Sequence, residues 1–358
     1  MFGFSIFLNE TINQDYLVSM YQAGFEGIFT SIHIPEDDAS VYVERLKEVG
    51  QFARTHEMEF VVDISEKALT NIGLSFDTLG NLNEAFGLTG IRADYGISNQ
   101  SIALMSRQID VMLNASTISP QDLAELTQHG ADFSRIEAWH NYYPRPETGL
   151  DEILFQQLND WLKEQGMKVM AFVPGDGQLR GPLHLGLPTL EKHRNEMPFT
   201  AALDLQHSYG IEKIFIGDPT ISELTRQKFA PYIQSNTLIL RGRTHLSEAE
   251  RTPLHLTNDK VWTGRMDVAR DIVRDTTSRL LNGHLSIAPV KEAMSRPRGS
   301  VTVDNDLYQR YKGSIHISRR DLAADEKVNV VGQIIQEDLS LLDLIQPGQK
   351  YQIEWQNN

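Results

Sequence analysis

The sequence contains no cysteine, which excludes disulfides, thiolate zinc sites, iron–sulfur clusters and cysteine nucleophiles. Cationic residues are also fewer than anionic ones. The chain has 33 lysines and arginines and 48 aspartates and glutamates, which gives a net charge of −15. A protein of this charge repels phosphate backbones and anionic lipids, so we expect neither nucleic acid nor a membrane as partner. An anionic small molecule would need a local group of cations in order to bind.

Long apolar runs are missing as well. No stretch of 18 apolar residues that would span a bilayer occurs in the chain. The opening segment, MFGFSIFLNETINQ, has no basic region and only a short apolar run, which does not fit a secretory signal. These features predict a cytoplasmic protein. With 358 residues, of which 41% are hydrophobic, the chain is long enough for one large domain or two of moderate size.

Short apolar runs alternate with segments of helical periodicity through the first two-thirds of the chain. Eight strands that alternate with helices predict a (β/α)8 TIM barrel, of α/β class, over residues 1–235. An open doubly wound sheet is the alternative, although no Gly-rich dinucleotide fingerprint follows any predicted strand. The predicted strands are 3–8, 27–32, 59–64, 90–93, 110–113, 135–138, 168–173 and 213–216, and the clearest helices are 38–56, 120–130, 151–165 and 198–209.

The pattern changes to β-branched segments and tight turns in the last third of the chain. Segments such as TLILRGR, GSVTVDN, KVNVVGQII and YQIEW predict a separate, small all-β domain over residues 236–358. Within this domain we expect a single long helix at 266–281, because charged residues recur there at helical spacing.

Carboxylate or amide side chains occur at the ends of seven of the eight predicted strands. Because the loops after the strands build the active site of a (β/α)8 barrel, these side chains predict one polar cavity. Arg92, His140 and Tyr142 belong to the same segments. The carboxylates and amides are Asn9, Glu10, Asp63, Asp94, Asn114, Glu137, Asn141, Asp176 and Asp218.

Paired carboxylates beside aromatic rings are what glycosidic bond cleavage requires, because one acid protonates the leaving oxygen while a second group supports the oxocarbenium-like centre. Trp139 and Tyr142 would supply apolar faces for a sugar ring. Each carboxylate also has a plainer interpretation. Asp63 and Asp218 would serve equally well as helix caps, and Arg92 and Asp94 share a strand face and would form an ordinary ion pair.

Two basic segments would hold an anionic ligand. Arg180 and Arg194 follow the seventh strand, and loops after strands seven and eight commonly bind phosphate in these barrels. Arg296 and Arg298 lie in the all-β domain, and their forked guanidinium groups suit phosphate or carboxylate. The alternative interpretation of both segments is an ordinary charged loop exposed to solvent. The histidines lack metal-ligand spacing, so we predict no metal and no cofactor, although a site built from separate strands stays open.

Several strings together resemble the 6-phospho-N-acetylmuramidase family, which is glycoside hydrolase family 170 and was long catalogued as an "outer surface protein" family. They are GFSIFLNE, Arg92-Ala93-Asp94, EAWHNYYPRPETGL, VPGDGQLRGPLHLGLPTLEKHR, RPRGSVTVDN and YQRYKG, which lie in both halves of the chain. The resemblance implies a (β/α)8 barrel followed by a cyclophilin-like β domain. It also implies a cytoplasmic hydrolase that cleaves N-acetylmuramic acid 6-phosphate from N-acetylglucosamine during recycling of cell-wall sugars.

The positions of the residues on the strands predict the roles in such a reaction. We expect Glu137 to be the general acid/base and Asp94 the nucleophile or electrostatic stabiliser, unless the acetamido group of the substrate attacks and a carboxylate only orients it. The remaining strand-end residues, with Arg92, His140 and Tyr142, are predicted to bind the sugar. Arg180, Arg194, Arg296 or Arg298 would hold the phosphate and the lactyl carboxylate. Two alternatives stay open: a metal-dependent sugar-phosphate isomerase or epimerase, and a carbohydrate-binding module without turnover.

Overall fold

The computed structural model describes residues 1–31, 39–64, 82–93 and 96–356. The chain forms two compact units, Met1–Gln227 and Lys228–Asn358. The division between the units falls inside the helix Glu223–Ser235, and the predicted boundary after residue 235 stays a prediction. Among the described residues, no helix is both long and apolar enough to cross a membrane.

The first unit is a closed barrel of eight parallel strands in which each strand pairs with the next along the chain. The barrel closes where Gly3 of the first strand stands in register with Phe215 of the last. This confirms the predicted (β/α)8 architecture. The strands are β1 (Phe2–Ser5), β2 (Gly27–Ser31), β3 (Glu59–Ile64), β4 (Gly90–Ala93), β5 (Asp110–Asn114), β6 (Ile136–Trp139), β7 (Val169–Val173) and β8 (Lys213–Ile216).

The helices between the strands begin at polar caps that the sequence contains. The helix at 120–128 begins after Ser119, whose side chain accepts from the backbone N–H of Asp122. The Asp122 side chain in turn accepts from the backbone N–H of Ser119. The helix at 152–164 begins after Asp151, which accepts from two backbone N–H groups of the first turn. The helices are α1 (Gln14–Gln22), α2 (Ala39–Thr55), α3 (Leu82–Phe86), α4 (Asn99–Ser106), α5 (Pro120–Gln128), α6 (Glu152–Glu164), α7 (Pro198–Ser208) and α8 (Glu223–Ser235).

Aromatic side chains fill the middle of the barrel. The Trp139 ring lies 5.0 Å from Phe215 and 6.0 Å from Phe29, and Phe29 lies 5.2 Å from Phe172, measured between ring centroids. All four are almost completely buried. A side chain at Gly3 would collide with the Phe215 ring, so only glycine leaves room for it. We call these four rings, Phe29, Trp139, Phe172 and Phe215, the aromatic layer.

The second unit contains one mixed sheet of seven strands, which confirms the predicted separate β domain; its likeness to cyclophilin stays a prediction. The strands are β9 (Thr237–Thr244), β10 (Val261–Thr263), β11 (Ile272–Arg274), β12 (Ser300–Asp304), β13 (Ile315–Ser318), β14 (Val328–Ile334) and β15 (Lys350–Gln356). Their order in the sheet is β10-β15-β9-β14-β12-β13-β11, in which only β15 and β9 pair in parallel. Short helices α9 (Glu248–Arg251), α10 (Ser278–Asn282) and α11 (Leu341–Leu344) connect them.

The helix predicted at 266–281 is wrong. The segment contains strand β11, whose buried Val273 stands in register with Ile317 of β13, and only its last residues enter α10. Asp267 accepts from both Arg265 and Arg274 and so stabilises a turn ahead of the strand. The charges that suggested a helical face therefore pair across this turn, and the apolar residue between them completes the sheet.

Candidate active site

Three polar side chains meet at the carboxyl ends of β3, β4 and β6. Asp63 and Arg92 stand in register on neighbouring strands, and Arg92 Nη1 donates to Asp63 Oδ1 at 3.0 Å. Arg92 Nη2 donates to Oδ1 of Asn141, two residues beyond β6. Because Arg92 is only 3% exposed, water screens this ion pair less than it screens a surface pair. The structure thus brings together three residues that the strand-end pattern predicted.

Arg180 reaches the same end of the barrel from the loop after β7. Its Nη1 donates to the Tyr142 hydroxyl at 2.7 Å, and its guanidinium lies 4.7 Å from the Phe7 ring centroid and 5.7 Å from that of Tyr142. The Tyr142 ring packs edge-on against Phe172 of the aromatic layer, 5.1 Å away between centroids. Burial raises the pKa of Tyr142, although Arg180 opposes the shift, so the phenol keeps its proton at neutral pH.

We call Asp63, Arg92, Asn141, Tyr142 and Arg180 the carboxyl-end cluster. Within the described residues, Tyr142 has no acceptor for its own proton and Arg180 has no side-chain acceptor besides Tyr142. Both groups are therefore available as hydrogen-bond donors to a ligand. The cluster offers one carboxylate, one amide, one phenol and two guanidinium groups above an aromatic floor, a combination suited to an anionic, hydroxyl-rich molecule.

Asp176 and Asp218 shape the loop that carries Arg180. Asp218 is fully buried, and its two oxygens accept from three backbone N–H groups. The donors are Gly175 at 2.8 Å, Arg180 at 3.1 Å and Leu187 at 2.9 Å. Asp176 accepts from the backbone and hydroxyl of Ser222 and from the Thr225 hydroxyl at the start of α8. The carboxylate oxygens of these two predicted substrate ligands thus accept hydrogen bonds from other residues of the protein. We infer that the two aspartates position the loop.

The other predicted polar residues lie nearer the rim. Asn9 and Glu10 are exposed in the loop after β1, and Glu10 accepts from Gln178 Nε2 at 3.0 Å. This contact joins the first loop to the loop that carries Arg180. Asn114 ends β5 half-buried, and its Oδ1 accepts from the backbone N–H of Ser116 at 3.1 Å. Asp94 lies outside the described residues.

The structure separates Glu137 from the carboxyl-end cluster. Successive side chains alternate across a strand, so Glu137, Trp139 and Asn141 share the inner face at successive levels about 13 Å apart from first to last. The buried Trp139 lies between the other two. At the amino-terminal end, Glu137 Oε2 accepts from Lys213 Nζ at 2.7 Å and from Trp139 Nε1 at 3.0 Å. This geometry places the predicted general acid/base on the far side of Trp139 from the carboxyl-end cluster, and its catalytic role stays a prediction.

His140 also turns away from the cluster, because it is one residue out of phase with Trp139 and Asn141. Its ring is fully buried against Phe155 of α6, at 4.7 Å between ring centroids. Its Nε2 lies 2.8 Å from Asn159 Oδ1, and its Nδ1 lies 3.1 Å from Ser116 Oγ. The predicted sugar contact of His140 therefore gives way to a role in packing α6 against β6.

The buried ring of His140 makes the stability of the barrel depend on pH. Burial lowers the pKa of His140 to about 4, below the ordinary value of 6.5 that applies to the unfolded chain. The unfolded chain thus binds the proton first, and this contribution to stability is present above pH 6.5 and is lost as the pH falls towards 4. Between pH 7 and pH 5 we expect the native protein to lose about 2 kcal/mol more stability than His140→Gln, measured by urea unfolding. Equal losses in the two proteins would contradict this assignment.

The remaining predicted arginines are engaged elsewhere. Arg194 is nearly buried, and its guanidinium donates to both carboxylate oxygens of Glu191 and to backbone carbonyls. Those carbonyls belong to Tyr143, Arg145, Leu185 and Gly186. Arg194 therefore holds two loops together and has no donor left for a phosphate. Arg296 and Arg298 belong to the second unit, where Arg296 donates to the Ala323 carbonyl and Arg298 to Asp343 at 2.6 Å.

Sequence reasoning missed four residues that shape the barrel site. Phe7 and Phe172 supply the ring faces beneath Arg180 and Tyr142, and the apolar character of the strands hid them among core residues. Glu59 and Lys213 open their strands, and Lys213 forms ion pairs inside the barrel with both Glu59 and Glu137. In the sequence, these two residues are recognisable as opposite charges at the first positions of apolar strands.

Comparisons with known proteins identify the family of the chain. The model of the N-terminal region of 6-phospho-N-acetylmuramidase matches residues 2–231, and that of the C-terminal region matches residues 240–354. No curated protein sequence matches the chain. A conserved protein of unknown function from Enterococcus faecalis is 44% identical in sequence with a TM-score of 0.88, and the match covers 100% of this chain and 97% of that one. An uncharacterized protein from B. cereus is 25% identical over 99% of both chains, with a TM-score of 0.75. The chain thus belongs to the 6-phospho-N-acetylmuramidase family.

Proposed function

We propose that this protein hydrolyses the β-1,4 bond between N-acetylmuramic acid 6-phosphate and N-acetylglucosamine, as a cytoplasmic enzyme in the recycling of cell-wall sugars. The observation that carries the proposal is the carboxyl-end cluster, in which a buried ion pair and two available donors lie together at the strand ends of a barrel of this family. Such strand ends carry the active site in characterised (β/α)8 enzymes. The phosphorylated sugar supplies the negative charge that Arg180 would recognise.

Each residue of the cluster has a distinct task in this proposal. Arg180 binds the phosphate or the lactyl carboxylate, because its planar fork donates to two oxygens of either group. The Tyr142 phenol donates to a ring substituent, and Asn141 orients a hydroxyl or the acetamido group. Asp63 forms an ion pair with Arg92 at 3.0 Å, and its carboxylate suits a group that supports positive charge at the anomeric carbon or positions the substrate amide.

The leaving oxygen of N-acetylglucosamine needs a proton when its bond to the anomeric carbon breaks, and water supplies the new hydroxyl. We propose Asp94 as the proton donor in place of Glu137. In the sequence, Asp94 directly follows Ala93, the last residue of β4, and stands two residues after Arg92. This assignment changes the role that the sequence suggested for Asp94, because Glu137 lies at the other end of the barrel.

The first experiment is to incubate the full chain with N-acetylmuramic acid 6-phosphate linked β-1,4 to N-acetylglucosamine, and to identify the products by mass spectrometry. We expect both monosaccharides to appear with or without EDTA. The unphosphorylated disaccharide and simple aryl glycosides serve as controls. Absence of cleavage of all three substrates would overturn the proposal and would favour the isomerase or the pure binding module.

Recognition of the phosphate by Arg180 predicts a specific kinetic defect. For Arg180→Gln we expect kcat/KM to fall about 10–100-fold on the phosphorylated disaccharide, because a charge-assisted hydrogen bond contributes about 1.5–3 kcal/mol. The value for the unphosphorylated disaccharide should change little. Arg135→Gln is the matched control, since Arg135 lies half-exposed before β6 and donates to Asp110. If Arg180→Gln retained the native discrimination between the two substrates, another residue would hold the phosphate.

A further inference from the structure

The second unit contains a cavity of about 480 Å³ whose lining residues all belong to that unit. A volume of this size is typical of small-molecule sites and exceeds the space that a few waters fill. Three arginines, two aspartates, a histidine and two tyrosines contribute to its wall. The lining residues are Arg265, Arg274, Asp275, Thr276, Arg279, Leu280, Asp304, Tyr308, Tyr311, Ser314 and His316.

Two of the arginines have donors without an acceptor among the described residues. Arg274 Nη2 donates to Asp267 Oδ2 at 2.9 Å, while its buried Nε has no acceptor among the described residues. A buried donor without a partner is rare in folded proteins and calls for an explanation. Arg279 is exposed at the start of α10, and its guanidinium has no acceptor in the described part of the chain. Arg279 thus brings to the cavity wall a guanidinium without an acceptor among the described residues, beside the ion-paired Arg274.

A nearly buried carboxyl group contributes another part of the wall. Asp304, at the end of β12, is 5% exposed and makes no side-chain hydrogen bond with the described residues; His316 Nδ1 lies 3.9 Å away. Burial raises the pKa of Asp304 to about 7, and repulsion from Asp325 adds to the shift. Burial also lowers the pKa of His316 to about 4. Near pH 7 the Asp304 carboxyl is thus close to the midpoint of its titration and can donate or accept a hydrogen bond, while His316 lines the cavity as a neutral imidazole.

Two tyrosine rings lie at the same cavity in a constrained arrangement. Tyr308 and Tyr311 pack edge to face with centroids 5.8 Å apart and planes at 84°. Gln309, between them, has φ 52° and ψ −113°, a backbone conformation that residues other than glycine seldom adopt. Strained backbone of this kind is found mainly where a site fixes its side chains. The two rings supply an apolar face beside the polar groups.

We propose that this cavity binds a phosphorylated monosaccharide, with the phosphate on Arg274 and Arg279 and the sugar ring against Tyr308 and Tyr311. Asp304 then donates to or accepts from a sugar hydroxyl. The guanidinium groups match the charge and forked geometry of a phosphate, and the tyrosine faces suit the C–H face of a pyranose. One pyranose phosphate fits the volume. The cavity would bind the sugar phosphate without turning it over, and this binding does not depend on the reaction proposed for the barrel.

The test measures binding by calorimetry in full-length Arg180→Gln, so that the barrel arginine does not contribute. The probe is N-acetylglucosamine 6-phosphate, and N-acetylglucosamine and inorganic phosphate are measured separately. We expect Arg180→Gln to bind one equivalent of the sugar phosphate, more tightly than it binds either part alone. Adding Arg279→Gln should weaken this binding at least tenfold, because it removes a guanidinium that lines the cavity and has no acceptor among the described residues.

Arg270→Gln in the same background is the control, since Arg270 is exposed, pairs with Asp271 and does not line the cavity. This variant should bind as Arg180→Gln does. No binding by Arg180→Gln would overturn the proposal, as would equal affinity in the Arg270 and Arg279 variants. Inorganic phosphate binding as tightly as the sugar phosphate would also overturn it, because the tyrosines would then have no part in recognition.

Discussion

Asparagine in place of Asp63 is expected to lower kcat on the phosphorylated disaccharide by about 10³-fold, within the range typical of a lost charged or proton-transferring group. The substitution keeps the shape of the side chain but removes the negative charge that faces Arg92. In the proposed reaction that charge supports the oxocarbenium-like centre or orients the substrate amide, and both tasks matter most in the transition state. We therefore expect a large effect on kcat and a small one on KM.

The matched comparison for Asp63→Asn is Glu137→Gln, a carboxylate-to-amide change in the same barrel. Because Glu137 lies beyond the buried Trp139, we expect kcat of this variant to stay within about threefold of the native value. Asp94→Asn should behave like Asp63→Asn if Asp94 is the proton donor. A Glu137→Gln protein that folds normally but is as inactive as Asp63→Asn would return the general acid to Glu137.

The cluster residues show why the sequence predicted part of the site. Asp63, Arg92 and Asn141 lie at strand ends, and parallel strands in a closed barrel bring their carboxyl ends together whatever the loops do. Strand position along the chain is therefore enough to predict that they meet. Arg180 was found for a similar reason, because it follows β7 in a loop that a barrel places at the same end.

For the other predicted residues, alternation along the strand or a partner distant in the sequence decides where the side chain lies. His140 follows the inward-facing Trp139 directly, so alternation sends its ring to α6 instead of the cavity. Arg194 is in a basic segment, but its acceptors include Tyr143 and Gly186 carbonyls, which only the folded loops bring near it. Asp218 was recognised as polar and strand-terminal, yet whether it faces a ligand or three backbone N–H groups depends on the course of the preceding loop.

Lys213, Glu59 and Glu137 form a three-charge group inside the barrel. Lys213 Nζ lies 2.7 Å from Oε1 of Glu59 and 2.7 Å from Oε2 of Glu137, and each of these side chains is no more than 16% exposed. Burial opposes the charged form of Lys213, but the two carboxylates raise the pKa of its ammonium group above the ordinary value. Burial raises the pKa of Glu59 against the pull of Lys213. Lys213 thus supplies the positive charge that compensates the burial of both carboxylates.

Methionine in place of Lys213 is therefore expected to destabilise the barrel by about 3–5 kcal/mol, because it leaves two buried carboxylates without their cation. The triple variant Lys213→Met, Glu59→Gln, Glu137→Gln should recover much of this loss, since it removes all three charges at nearly constant volume. Urea unfolding at pH 7, followed by tryptophan fluorescence, measures both, and Trp139 reports directly because its indole N–H donates to Glu137. A loss below about 1 kcal/mol in the single variant would mean that water screens the group as it does a surface pair. A large loss together with recovery in the triple variant, and near-native kcat in Glu137→Gln, would assign Glu137 to the framework of the barrel and leave the chemistry to the carboxyl ends of the strands.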